Sequence, residues 1–365
     1  MREIRFKDRT DNKDLNPDMP FLLGEADYAA RMHTDVDAWR RSHLHHGVLR
    51  SFDEAQLHYY YAIRPKSRGT IVVVHGFCEF IGKYRELLYS LNEAGYNVFF
   101  LEQRGHGRSV RETRYTEYIY VRSYRYYVED LKYMMDQVVL PITGRSIPEA
   151  AYRFHPVFLL AHSMGGAVGT LFLEQYPEYF DAAVLSSPMH RMLTGGVPDW
   201  QVKALLAASR VAFLEKRPVP GQGGFDPEED FAASCGSSRA RFEYVLNLRR
   251  HYPEYQTGGA TNGWIRASLK ASGKLLRNAK KVQIPVLLLQ AREDTLVDLK
   301  AQDEFAARSG NTTVSRYEGC KHELMNGNDE TRYRFYREIL DFYGTCADKA
   351  SVAKTGEYNR RGDRI

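Results

Sequence analysis

The chain of 365 residues is poor in cysteine, has no long apolar run and carries little net charge, and each shortage removes a class of protein. Its four cysteines, Cys78, Cys235, Cys320 and Cys346, have neither the density nor the spacing of a disulfide framework or a zinc site. Free thiols packed as small fillers are expected. No apolar stretch approaches the roughly 18 to 20 residues that span a bilayer, and Met1 to Asp8 lacks the apolar core of a signal peptide. The expectation is a cytoplasmic protein. The formal net charge is +5 and the basic residues are scattered, so no stripe for nucleic acid is formed. That small excess is compatible with peripheral contact at an anionic membrane surface. Internal repeats and low-complexity tracts are also missing.

What is present is a buried apolar run ending abruptly in a serine: Leu159-Leu160-Ala161-His162-Ser163-Met164-Gly165-Gly166. This reads as a nucleophile elbow, in which the serine sits with strained backbone between a strand and a helix and its neighbours must be small. Gly165 meets that demand, while Ala161 stands where glycine is usual. A serine is inert at its free pKa and needs a general base, itself oriented by a third group. The apolar run Val286 to Ala291 leads into a polar turn carrying Asp294, the expected orienting carboxylate. After the short strand Val314 to Tyr317 comes a loop with His322, the expected general base. The order serine, acid, histidine is that of the α/β-hydrolase fold. The oxyanion hole needs two backbone N–H groups. Met164, after the nucleophile, and Phe77, in the loop after strand Thr70 to Val74, are the expected donors.

With these residues in hand, the chain resembles the lysophospholipase and monoacylglycerol lipase group of capped α/β-hydrolases, the bacterial lysophospholipases above all. The resemblance spans roughly positions 20 to 345. It also rests on His75-Gly76 with Glu79 and Tyr84, on Ala94-Gly95-Tyr96, on Arg104-Gly105-His106-Gly107-Arg108-Ser109, and on Asn262 to Ser268. Glu102-Gln103 departs from the aspartate and histidine that the group often places before the Arg-Gly-His-Gly turn. The resemblance implies a single-chain lipid ester, lysophospholipid or monoacylglycerol, as substrate.

Strand and helix signals alternate through Asn97 to Leu101, the elbow strand and Ala182 to Ser186, which predicts a mostly parallel, doubly wound α/β sheet. Residues 1–45 read as an N-terminal extension that packs over the core or frays. Residues 46–187 and 282–345 form the expected α/β-hydrolase core, beginning with an antiparallel hairpin. Residues 188–281 form the expected inserted helical cap, with helices around 199–213, 238–251 and 264–278, lining an apolar slot for an acyl chain. Residues 346–365 read as a polar, weakly ordered tail.

Several features carry a plainer reading. Asp298, a rival acid, suits the N-cap of the helix that follows. His75, His106 and His162 suit loop-structuring hydrogen bonds. His43, His45 and His46 have no carboxylate or thiolate partner at metal-binding spacing. Tyr124, Tyr127, Val128, Leu131 and Met135 recur at helical spacing, which makes a helix of the tyrosine-rich run. The tripeptide Arg361-Gly362-Asp363 is read as chance. The predicted activity is a serine esterase that forms an acyl-enzyme and calls for no metal or organic cofactor. The alternatives are a carboxylesterase or peptidase for small soluble molecules, and a ligand sensor that keeps a hydrolase pocket. The oligomeric state is not legible.

Overall fold

The computed structural model of the chain describes residues 18–144 and 155–362. The signal-peptide reading of Met1 to Asp8 and the Asp363 of the tripeptide lie outside them. Ten strands are formed: β1 His45–Arg50, β2 Gln56–Ala62, β3 Thr70–Val74, β4 Asn97–Leu101, β5 Tyr118–Ile119, β6 Val157–His162, β7 Ala182–Ser186, β8 Gly259–Ala260, β9 Val286–Ala291 and β10 Thr312–Tyr317. Eight make one sheet in the order β1-β2-β4-β3-β6-β7-β9-β10. The first two pairings are antiparallel, as the expected hairpin requires, and the other five are parallel. β5 and β8 pair in parallel as a separate ribbon.

Strands β3, β4, β6, β7 and β9 are buried along their whole length, which is why they read as continuous apolar runs: helices cover both faces of the sheet. The period of two divides each strand between the layers. Val72 and Val74 enter one apolar cluster, and Ile71 and Val73 enter the other.

The helices are α1 Tyr28–Arg31, α2 Asp37–His43, α3 Ile81–Glu93, α4 Tyr124–Met134, α5 Leu140–Thr143, α6 Met164–Gln175, α7 Asp199–Val211, α8 Arg239–His251, α9 Asn262–Asn278, α10 Leu299–Ser309 and α11 Asp329–Gly362. The tyrosine-rich run is α4, with Tyr124, Tyr127, Val128 and Leu131 buried. Between β7 and β9 the sheet is interrupted by α7, α8 and α9. From Met19 to Trp39 the N-terminal segment packs into the same cluster as α3 and α11, and Trp39 Nε1 donates to Asn92 Oδ1 at 2.8 Å. Helix α11 continues through the stretch read as a polar tail. Ala347, Ala350 and Ala353 with their neighbouring lysines are strong helix formers, a property that low hydrophobicity hides.

Candidate active site

The sequence-predicted residues come from the carboxyl ends of four parallel strands, where an open α/β sheet presents its loops. Ser163 lies between β6 and α6 with φ 52° and ψ −119°, a left-handed backbone rare for a residue with a Cβ. Its neighbours explain why the turn is built from small residues. A Cβ added at Gly165 would overlap the carbonyl oxygens of Val74 and His75, and one added at Gly166 would meet Pro188 Cβ at 2.6 Å. The departure at Ala161 is accommodated by Gly169 one layer away, whose added Cβ would lie 3.2 Å from Ala161 Cβ.

His322 and Asp294 meet across 28 residues. His322 Nδ1 lies 2.5 Å from Asp294 Oδ2, and both side chains are buried. Asp294 Oδ1 accepts from the N–H groups of Leu296 and Val297 at 2.8 and 3.2 Å, so its second oxygen is aimed at the imidazole. Asp298 instead caps α10, accepting from Lys300 N at 2.9 Å. His322 and Ser163 open onto one cavity of about 390 Å³.

Phe77 lines that cavity, and Met164 follows Ser163 directly. Met164 begins α6, so its N–H is one of the four that a helix leaves without an internal acceptor. The Phe77 loop presses on the nucleophile: a Cβ at Gly76 would sit 3.1 Å from Ser163 Cβ. That loop is held from below. His75 Nδ1 donates to Gly76 O at 2.7 Å, and Gln103 N donates to His75 Nε2 at 3.0 Å. The departing pair Glu102-Gln103 serves the same scaffold. Glu102 accepts from Ile81 N and Arg108 N at 3.0 and 2.9 Å, and Gln103 Nε2 donates to His75 O at 2.7 Å. Burial pushes the His75 imidazole down to about 4, which keeps it neutral. His106 and His162 are also lowered by burial, and His162 Nδ1 bonds Ser186 O at 3.1 Å.

Sequence reading missed the charged cluster beside the histidine. Lys83 Nζ lies 2.8 Å from Glu79 Oε1 and 2.6 Å from Glu323 Oε1. Tyr84 Oη donates to the other Glu79 oxygen at 2.5 Å, and Gly76 N donates to the same oxygen. Burial would raise the Glu79 carboxyl, but Lys83 and then His162 outweigh it and hold the group well below the carboxylate range. Burial likewise opposes Lys83, yet Glu323 and Glu79 hold its ammonium above the usual lysine value. Glu79 lies in the loop just before α3 and Lys83 in its first turn, four positions apart, but nothing in the sequence joins Lys83 to Glu323.

The expected apolar slot is in fact mixed. Phe77, Phe242, Val245, Leu246 and Leu296 line it together with Asp226, Glu229 and Arg249. Arg249 pairs with Glu229 at 3.1 Å and donates to Thr257 O at 2.7 Å. Cys78 and Cys235 also face the cavity, and burial pushes both thiols up to about 12, which leaves them poor nucleophiles. Among the described residues, no group of three or more His, Cys, Asp or Glu side chains is gathered to hold a metal ion.

A family model described as "Serine aminopeptidase, S33" matches residues 65–329, an interval that holds Ser163, Asp294 and His322. The chain belongs to this family. It is therefore a hydrolase of the α/β-hydrolase fold, as its resemblance to the lysophospholipase and monoacylglycerol lipase group implied. "Lysophospholipase L2" of Escherichia coli is 30% identical over 284 residues, covering 75% of this chain and 79% of that one. "Monoglyceride lipase" of Mus musculus is 28% identical over 274 residues, 74% of this chain and 81% of that one. A solved structure of a soluble variant of monoglyceride lipase from Saccharomyces cerevisiae superposes with a TM-score of 0.62 at 18% identity, covering 83% of this chain and 94% of that one. At that identity the superposition speaks for the fold alone. This member of the family departs from its usual elbow at Ala161, and Gly169 makes room for it.

Proposed function

We propose that this hydrolase cleaves the carboxylic ester of a single-chain lipid, a lysophospholipid or monoacylglycerol, through an acyl-enzyme on Ser163. The observation that carries this reading is the strained Ser163 opening onto the cavity it shares with the Asp294-oriented His322. Ser163 Oγ attacks the acyl carbonyl carbon while His322 Nε2 takes its proton. The N–H groups of Phe77 and Met164 stabilise the oxyanion, each worth about two to three orders of magnitude in turnover. Collapse breaks the ester C–O bond, and His322 returns the proton to the leaving alcohol. A water deprotonated by His322 then attacks the acyl carbon and frees the fatty acid together with Ser163.

Residues 188–281 act as the cap in this reading. The relatives named lysophospholipase and monoglyceride lipase support the lipid substrate, and the apolar lining beside charged residues suits an acyl chain joined to a polar head. A cytoplasmic protein would reach such substrates at a membrane surface through α7 and the turn that follows it. There Trp200 is 69%, Val211 80% and Phe213 94% exposed, beside the exposed Lys203 and Arg210.

The test is release of fatty acid from lysophospholipids, monoacylglycerols and short soluble esters by the native chain and by Ser163→Ala. Serine-dependent release from the lipids, rising with acyl length, is expected. Unchanged release by Ser163→Ala overturns the nucleophile. Activity confined to short esters or peptides favours the second reading, a carboxylesterase or peptidase for soluble molecules. The carboxylates Asp226 and Glu229 in the cavity wall give that reading its support.

A further inference from the structure

A second cavity, of about 210 Å³, shares no lining residue with the first. Its polar wall is Arg40 from α2, Arg85 from α3, Arg108 from the loop after β4, His46 and Tyr60 from the hairpin, and Tyr255 from the segment before β8. Among the described residues no carboxylate lines it. At roughly 30 Å³ per water it has room for about seven waters, or for a small anion with its nearest waters.

The three guanidiniums are not equally neutralised. Arg40 Nε lies 2.8 Å from Asp37 Oδ1, and Arg108 Nε lies 3.2 Å from Glu254 Oε1. Arg85 has no ion pair among the described residues. Its Nε is buried without a hydrogen-bond partner, its guanidinium bonds the Tyr244 hydroxyl, and the Asp37 carboxylate acts on it only from a distance. With no carboxylate in direct contact, the Arg85 guanidinium is compensated less than those of Arg40 and Arg108, so an anion entering the cavity is drawn to it. The aromatic walls hold the opening in shape: His46 stacks on Tyr60 at 4.8 Å, and Tyr255 on Phe80 at 4.1 Å and 10°.

We propose that this cavity binds a phosphate-bearing anion, taken up by Arg85 together with Arg40 and Arg108, at a site separate from the ester-cleaving one. One bidentate arginine satisfies a carboxylate. Three guanidiniums converging from different elements match the spread of oxygens on a tetrahedral phosphate. The phenols of Tyr60 and Tyr255 and the His46 ring add neutral donors at the rim. Burial, with Arg108 next, lowers the His46 imidazole below its usual value, so it takes no positive charge of its own near neutral pH. The phosphate has two sources, free in solution or on a lipid headgroup.

The test uses the full chain with inorganic phosphate in calorimetry, and sedimentation with phosphatidylcholine vesicles with and without phosphatidic acid. Arg85→Gln and Arg40→Gln are compared with the native protein. Because Arg85 has no carboxylate in contact, Arg85→Gln is expected to melt close to the native chain in phosphate-free buffer, while phosphate raises the melting temperature of the native chain far more than that of Arg85→Gln. Saturable phosphate binding that weakens by about tenfold or more in Arg85→Gln, and that falls with salt, bears out a free-phosphate site. The same loss seen only with phosphatidic acid vesicles bears out a headgroup site. Absence of both kinds of binding, or binding that both variants leave unchanged, overturns the proposal.

Discussion

Lys83 and Glu323 are 240 positions apart and form an ion pair of 2.6 Å directly beside His322. The same ammonium holds Glu79, whose carboxylate anchors Gly76 in the Phe77 loop. One lysine thus ties the loop of Phe77, the proposed oxyanion donor, to the loop of His322, the proposed base. Lys83→Met leaves two buried carboxylates without their cation and is expected to cost about 3–5 kcal/mol of stability by denaturant titration. In the surviving folded fraction kcat should fall with KM little changed, because the loss is one of alignment. Unaltered kcat would remove the positioning role.

Asp294→Asn keeps both backbone hydrogen bonds to the carboxamide oxygen and turns an N–H toward His322 Nδ1. That nitrogen must then accept, which places the ring proton on Nε2, where the base function is lost. The equivalent change in a serine protease costs about 10⁴-fold in kcat. A loss of that order, with folding intact by circular dichroism, is expected here, and an active Asp294→Asn would point back to Asp298.

Gly165→Ala forces a methyl group into the carbonyl oxygens of Val74, at the end of β3, and His75, the first residue of the loop after it. The expected cost is about 3 kcal/mol, with loss of activity because the Phe77 loop is displaced. Ala161→Gly, at the other side of the elbow, should cost only about 1 kcal/mol. Similar melting temperatures for the two variants would contradict this account of the turn.

Four buried histidines set the acid limit. Burial pushes His75 down to about 4 and His190 down to about 3, and lowers His106 and His162 as well. Below the unfolded value near 6.5, the unfolded chain takes up protons that the folded chain refuses. Stability is complete above that pH and is lost as pH falls toward the folded values, by about 1.4 kcal/mol per pH unit for each such histidine. His190 bonds Thr170 Oγ1 at 3.0 Å and packs on Phe305 at 4.3 Å. His190→Gln should be weaker at pH 7.5 yet have a shallower slope between pH 6 and 4, measured by urea unfolding.

Trp200→Ser with Phe213→Ser should weaken vesicle sedimentation while leaving hydrolysis of a soluble short ester unchanged. Equal loss of both would place these side chains in the fold rather than at a membrane.

The elbow was legible because its strain demands small residues at fixed offsets, and β3, β6 and β9 because strands buried on both faces read as unbroken apolar runs. His322 and Asp294 followed from their places just beyond strand ends. The Lys83 cluster and the arginine cavity were not legible, since each depends on side chains from distant elements meeting in space. The charged part of the cavity shared by Ser163 and His322 was hidden for a related reason: helical periodicity tells which face of α8 is buried but not what it borders. The packing of the N-terminal segment left a readable trace in Tyr28, Met32 and Val36, which recur every four residues. Helix α11 outran the expected tail because its composition is polar but strongly helical.

The β5–β8 ribbon reaches well beyond its two residue pairs. Gly258 N donates to Glu117 O and Thr261 N to Ile119 O, so on both sides of the ribbon residues 188–281, the proposed cap, are sewn by main-chain bonds to the segment that carries β5. Arg241 of α8 is clamped on Glu86 of α3 at 2.8 Å and on Leu23 O at 2.8 Å. A cap fastened this way has little freedom to lose when substrate arrives. Its cavity is shaped in advance, and binding there carries a small ordering entropy. Under the proposed function, a hydrocarbon tail longer than the cavity would stay outside it, and only the ester end of the substrate would need to enter.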